Sequence, residues 1–234
     1  MKLLLISNSA IPGEQYLGYP KYEIQKTLGG KPVTALFIPY AAVTFSFDKY
    51  VTKVEGRFAE VGHHVVGIHT FKDPVKAVKE AEAIVVGGGN TWQLARMMND
   101  QDLMQVIKEK VEAGTPYIGW SAGSNVACPT LRTTNDMPII DPKGFDCIGL
   151  VPFQINPHYL DANPEGHAGE TREQRINEFL EINPDVYVVG LREGTILKLL
   201  GDKLRLIGDR TARIMKKGMA PQELSNKDDF SFLL

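Results

Sequence analysis

Five short apolar runs punctuate the first half of the chain. "KLLLIS" (2–7), "VTALFIP" (33–39), "HVVGIH" (64–69), "AIVVGG" (83–88) and "PYIGW" (116–120) are apolar at consecutive rather than alternate positions. Successive side chains of a strand point to opposite faces, so such runs predict strands covered on both sides, as in parallel sheets. Between them the spacing changes. Val51, Val54, Phe58 and Val61 recur at helical intervals and stop at Gly62; Leu103, Val106, Ile107 and Val111 form a second stripe that stops near Gly114. This βαβα alternation predicts an α/β fold built on a doubly wound, mostly parallel sheet.

Past Val126 the pattern loosens into proline- and glycine-bearing pieces as far as His158. A charged helix is expected from about Glu170 to Leu180, and a buried strand at "DVYVVGL" (185–191). "TILKLLGDKLRLIG" (195–208) reads as a hairpin turning at Gly201–Asp202. The last twenty residues are weakly patterned. No repeat interrupts the 234 residues, a length that suits one domain spanning 1–234.

Composition narrows the function. Hydrophobic residues make up 43% and charged residues 23%, and acids and bases are interspersed around a net charge of −2. Neither nucleic acid nor an anionic membrane surface is an expected partner. Cys128 and Cys147 lack metal-ligand spacing and are expected as free thiols in a reducing compartment. "MKLLLISNSA" is too short an apolar stretch for a signal-peptide core or a membrane span, so a soluble, cytoplasmic protein is expected. No motif calls for a metal or a cofactor.

The candidate chemistry begins at "YIGWSAGSN" (117–125), where a strand stops at a serine between small residues. "GWSAG" fits G-x-S-x-G, a strand-to-helix turn that lifts a serine hydroxyl above the sheet. Bulky neighbours would clash there, and Gly119, Ala122 and Gly123 avoid this. The N–H of Ala122 would open a helix and face a developing oxyanion. The same position also suits a serine that merely caps a helix.

"VVGGGNTWQL" (85–94) is a second glycine cluster, with a helix opening near Thr91 under an Asn90 or Thr91 cap. It lacks the full dinucleotide pattern and a P-loop lysine, so Gly88 and Gly89 read either as a phosphate cradle or as oxyanion donors facing Ser121. A serine nucleophile needs a base. His63 and His64 fall on the opposite edge from the strand ends, His69 lies near a strand end, and His167 lies in a solvated loop. His158, after Pro157 at the end of a strand-like run, is the best placed. Glu193, at the end of the run 185–191, and Asp136, in a turn-rich loop, are the candidate acids that would orient it.

Together "LLLISNS", "FIPYAAVT", "VVGGGNTWQL", "YIGWSAGSNVACPTLRTTNDMPI", "QINPHY" and "GETREQRI" resemble peptidase E, the aspartyl dipeptidase family of serine peptidases, over roughly residues 2 to 200. The resemblance implies a fold like class I glutamine amidotransferases and metal-free cleavage of dipeptides with N-terminal aspartate. It implies Ser121 as nucleophile, His158 as base, and either Glu193 or Asp136 as third member. Glu193 is favoured, because serine, histidine and glutamate would then come from separate strand ends of one sheet. The order Ser…His…Glu also differs from that of α/β-hydrolases.

A substrate aspartate calls for a guanidinium, whose fork meets both carboxylate oxygens. Arg172 is the first choice, with Arg175 and then Arg132 behind it. Glu170, Asp136 or Asn90 could receive the substrate amine. Three rival readings remain: a cyanophycinase-like peptidase on an aspartate-rich polymer, a glutamine amidotransferase, and a non-enzymatic binding module. Short loops favour a small closed pocket over the polymer, and serine in place of cysteine argues against the amidotransferase.

Overall fold

A computed structural model describes residues 1–163, 165, 166 and 168–234. In chain order the elements are β1 (Lys2–Ile6), α1 (Lys21–Leu28), β2 (Thr34–Ile38), α2 (Phe47–Ala59), β3 (His64–Gly67), α3 (Pro74–Glu80), β4 (Ile84–Val86), α4 (Thr91–Asp100), α5 (Leu103–Glu112) and β5 (Tyr117–Trp120). There follow α6 (Ala122–Asn125), β6 (Gln154–Tyr159), α7 (Arg172–Ile182), β7 (Val188–Arg192), β8 (Ile196–Leu200), β9 (Lys203–Ile207), β10 (Ala212–Met215) and β11 (Gln222–Leu224).

The apolar runs become strands because both of their faces are covered. Leu3 and Leu5 point to one side of β1, Leu4 and Ile6 to the other, and all four are buried. The first side packs on α3, α4 and α5 through Val78, Leu94, Met98 and Ile107. The second packs on α1 and α2 through Ile24, Tyr50, Val54 and Phe58. Truncating such a buried residue to alanine costs about 2–5 kcal/mol. The result is a seven-stranded sheet in the order β3-β2-β4-β5-β1-β8-β9, parallel from β3 to β1, with the hairpin β8-β9 antiparallel at one edge. This is the doubly wound α/β fold expected. The run 64–69 ends as a strand at Gly67 and turns into a short 3-10 helix at Ile68–Thr70.

One expectation needs correcting. Ser121, His158 and Glu193 do not come from one sheet. Ser121 follows β5 of the seven-stranded sheet, whereas His158 lies in β6 and Glu193 follows β7 of a separate four-stranded sheet, β11-β10-β7-β6. The β8-β9 hairpin takes the edge beside β1, so β6 and β7 pair with each other in parallel and are extended by β10 and β11. Ile155, Val189, Leu191, Ala212 and Ile214 bury one face of this second sheet in the same apolar cluster as α4 and α5. Ile176 and Leu180 of α7 cover Val188, Tyr159 and Met215 of the same sheet. The closing residues, weakly patterned in sequence, thus supply β11, a 3-10 turn at Ser231–Leu233 and the buried Phe230 and Leu233.

Candidate active site

Ser121 stands at the carboxyl end of β5 with φ 52° and ψ −111°, a conformation few side-chain-bearing residues adopt. Its N–H donates to the Ile6 carbonyl at 3.0 Å, and its own carbonyl accepts the N–H groups of Ser124 and Asn125. The Ser121 side chain caps no backbone N–H. The flanking glycines are forced by close approach: a Cβ on Gly119 would lie 2.4 Å from the Gly123 carbonyl oxygen, and one on Gly123 would lie 2.2 Å from that of Val86.

The base candidate arrives from the other sheet through a bulge. Pro157 of β6 pairs with Leu191, but Tyr159 already pairs with Arg192, so His158 is an extra residue on its strand. It sits at φ 52°. Its N–H, excluded from the ladder, donates to Ser7 Oγ at 3.0 Å, while the Ser7 hydroxyl donates to the Leu191 carbonyl at 2.8 Å. The re-aimed imidazole meets Ser121 Oγ with Nε2 at 3.0 Å and Glu193 Oε1 with Nδ1 at 2.7 Å. Glu193 reaches it from the turn after β7, where the Gly194 N–H donates to Asn8 Oδ1 at 2.9 Å.

Asp136 is brought to the same cleft but not to the imidazole. Its Oδ2 accepts from the Thr91 N–H at 2.7 Å, the Thr91 hydroxyl at 2.6 Å and the Thr134 hydroxyl at 3.2 Å. The first turn of α4 claims this carboxylate because helix N-termini present unpaired N–H groups to anions. Asn90 caps that helix, accepting from the Gln93 N–H, and donates to the Met137 carbonyl.

Gly88 lies close to the serine: a Cβ there would meet Ser121 Cβ at 3.0 Å and Trp120 at 2.9 Å. Gly89 has φ 137° and would clash with the Ala41 carbonyl if it carried a Cβ. Among the described residues no acceptor takes the backbone N–H of Gly88, Gly89 or Ala122.

Gly88, Gly89, Trp120, Ser121, Asp136 and His158 line a cleft of about 380 Å³, together with Ser9, Tyr16, Phe45, Tyr50 and Lys53. It is open rather than the closed pocket expected: the His158 and Glu193 side chains are 40% and 38% exposed. Asp136 also lines a smaller adjoining cavity of about 180 Å³ with Arg132, Arg172 and Arg175. Arg172 opens α7, and its guanidinium donates to Asn135 Oδ1 at 2.6 Å. Burial, and then the neighbouring Arg175 charge, lower its pKa, while Asp136 raises it; a guanidinium stays charged throughout. Arg175 faces Glu170 at 3.7 Å in an exposed pair, and Arg132 lies over the Phe145 ring.

The other histidines serve elsewhere. Nδ1 of the buried His63 accepts the Val33 N–H, His64 pairs with Glu55, and His69 with Asp48. His167 lies outside the described residues. Cys128 is fully buried, burial raises its thiol pKa, and it bonds the Ser124 carbonyl. Among the described residues no group of His, Cys, Asp or Glu is arranged to hold a metal ion, and no helix is long and apolar enough to cross a membrane. Sequence reasoning missed Ser7, Tyr50 and Lys53. Ser7 could have been noticed as a polar residue ending an apolar strand; the other two sit on an ordinary helix and carry no local signal.

The sequence model of peptidase family S51 matches residues 3–207. The chain belongs to peptidase family S51. It is 51% identical to a peptidase E from Nostoc sp. over 233 residues, covering 100% of this chain and 96% of the relative. It is 48% identical to a peptidase E from Salmonella typhimurium over 218 residues, covering 93% of this chain and 95% of the relative. Two solved structures share the fold: a peptidase from an acI-B1 Actinobacterium, with TM-score 0.72, 22% identity and coverage of 99% and 96% of the two chains, and a putative peptidase E from Listeria monocytogenes, with TM-score 0.65, 24% identity and coverage of 88% and 98%. This S51 chain is a serine-type peptidase that acts on small peptides, a serine dipeptidase.

Proposed function

We propose that the protein hydrolyses dipeptides with an N-terminal aspartate through an aspartyl-enzyme ester on Ser121. The observation that carries this reading is the unbroken chain from Ser121 Oγ to His158 Nε2 at 3.0 Å and from His158 Nδ1 to Glu193 at 2.7 Å. His158 takes the Ser121 proton as the oxygen attacks the peptide carbonyl, and returns it to the departing amine. Glu193 holds the imidazole in the required tautomer and stabilises the imidazolium. The N–H of Ala122 and that of Gly88 or Gly89 receive the oxyanion, each worth about 3–4 kcal/mol in the transition state. Water, activated by His158, then splits the ester and frees aspartate.

Arg172 receives the substrate side chain. It spends one N–H on Asn135, which leaves most of its fork for a carboxylate. Asp136, in the wall shared by the two cavities, receives the substrate α-amine, with Asn90 beside it. Arg175, engaged with Glu170, serves by adding positive charge rather than by contact. The reading includes action of residues 1–234 as one domain, in keeping with the apolar cluster shared by the two sheets, and a cytoplasmic location, which suits the free thiols Cys128 and Cys147. Neither nucleic acid nor membrane is a partner.

Product release from Asp-Leu, Asn-Leu, Glu-Leu and N-acetyl-Asp-Leu tests the assignment. Hydrolysis of Asp-Leu alone is expected; cleavage of the acetylated peptide at a similar rate would remove the amine site, and equal cleavage of Asn-Leu would remove the role of Arg172.

A further inference from the structure

The groups that account for the aspartyl half of the substrate all lie to one side of the seven-stranded sheet. Asp136 and Asn90 are fixed to α4, which packs on the face bearing Leu3 and Leu5. Arg172 adjoins Asp136 on that side. The cleft around Ser121 continues past the strand end to the opposite face, where α2 packs. Here its wall is Tyr16, Phe45, Tyr50, Trp120 and Lys53, and nothing in the hydrolysis described above uses them.

This wall is rigid and of mixed chemistry. The Tyr50 hydroxyl donates to the Gly88 carbonyl at 2.9 Å and accepts from Trp120 Nε1 at 3.1 Å. The Tyr16 hydroxyl donates to that of Tyr50 at 3.2 Å, and its ring stands edge-on to Trp120. The wall is therefore bolted both to the glycine loop and to the residue preceding Ser121. The exposed Lys53 lies with Nζ 3.8 Å above the Tyr16 ring centroid, a cation–π contact that favours placing the ammonium at the cleft. Apart from His158, Lys53 is the only basic residue lining this cleft among the described residues. Phe45 is 46% exposed at the same wall.

We infer that this flank is the subsite for the leaving residue, with the Lys53 ammonium binding its terminal carboxylate and the Phe45 and Tyr16 rings contacting its side chain. The inference rests on the proposed aspartyl specificity, which sends the other half of the dipeptide toward α2. A dipeptide carries one carboxylate on each side of its scissile bond when its first residue is aspartate. The site offers Arg172 to the first carboxylate on one side of the sheet and Lys53 to the second on the other. A free carboxylate one residue beyond the scissile bond is what distinguishes a dipeptide from a longer chain, so Lys53 gives a physical basis for exopeptidase length selection.

The test compares kcat/KM for Asp-Leu and Asp-Leu-amide in the wild type, Lys53→Met and Lys53→Arg, with Asp-p-nitroanilide as a substrate that has no leaving carboxylate. The wild type should prefer the free acid, and Lys53→Met should lower the ratio of free acid to amide roughly tenfold, as expected for one partly exposed charge pair in a cleft. Lys53→Arg should retain most of that ratio. An unchanged ratio in Lys53→Met, or an equal fall for all three substrates, overturns the inference while leaving the aspartyl reading intact. Failure of the wild type to cleave Asp-Leu overturns the aspartyl reading, and this inference with it.

Discussion

The backbone N–H of His158 donates to the hydroxyl of Ser7, 151 positions earlier in the chain. Ser7 follows β1, the neighbour of β5 in the seven-stranded sheet, and His158 bulges from the other sheet. One fully buried hydroxyl therefore registers the two sheets at the point where Ser121 and His158 must meet. Ser7→Ala leaves the His158 N–H and the Leu191 carbonyl without this partner, at a cost of about 1–3 kcal/mol. Thermal denaturation should show that loss. Turnover of Asp-Leu and phosphonylation of Ser121 should fall together, because both depend on the placement of the imidazole. Wild-type rates in a destabilised Ser7→Ala would show that Ser7 serves folding alone.

The two acids should separate by readout. Glu193→Gln keeps the volume but removes the charge beside His158 Nδ1, and kcat should drop by about 10²–10⁴ with little change in Tm. Asp136→Asn removes an anion from the first turn of α4, where three donors converge on one oxygen. It should lower stability by about 1–2 kcal/mol and raise KM through the substrate amine. Steady-state kinetics with calorimetry decides this; a larger kcat loss for Asp136→Asn would reverse the assignment.

Gly123→Ala should be far more damaging than its size suggests. The new Cβ would sit 2.2 Å from the Val86 carbonyl oxygen, a backbone atom that moves only if β4 moves. We expect a loss of more than about 2 kcal/mol and displacement of the Ala122 N–H. Chemical denaturation with normal midpoint and slope would refute the close approach.

A charge cluster behind Glu193 sets an acid limit on stability. Arg192 binds Asp161 and Glu223, and Arg213 binds Glu223 and Glu173. Partial burial alone would raise the Glu223 carboxyl, but hydrogen bonds from Arg192, Thr211 and Arg213 prevail and hold it at about 2, against an ordinary 4.5. A depressed carboxyl contributes stability that is fully present above its unfolded pKa and is lost as pH falls through the folded value. The loss should therefore run from pH 4.5 down to about 2. Glu223→Gln should flatten the fall of Tm in that window; an unaltered slope would mean that the cluster does not titrate with unfolding.

The parallel sheet was legible because strands buried on both faces announce themselves as continuous apolar runs, as in Leu3–Ile6 and Ile84–Val86. The serine turn was legible because close approach leaves glycine no substitute at 119 and 123. The second sheet was not, because β11 reads "QEL" and owes its place to pairing with Ala212–Ile214. Nor was the His158 bulge, which exists through register against β7 and through a hydroxyl at position 7. Both are long-range facts that local periodicity does not carry. Asp136 was legible as a site acid but not as the anion of α4, since the loop carrying it folds back over 45 positions to Thr91.

The central claim is that Ser121, activated by His158, is the atom that attacks the peptide. Intact-mass measurement of the protein after reaction with a small uncharged phosphonylating probe, followed by peptide mapping, tests it most directly when paired with residual Asp-Leu hydrolysis. The account predicts one adduct, on Ser121, with activity falling in proportion to labelling, and neither adduct nor appreciable hydrolysis in Ser121→Ala. Labelling at another residue in step with inactivation, or an unlabelled Ser121→Ala that still hydrolyses Asp-Leu at near wild-type rate, would contradict it.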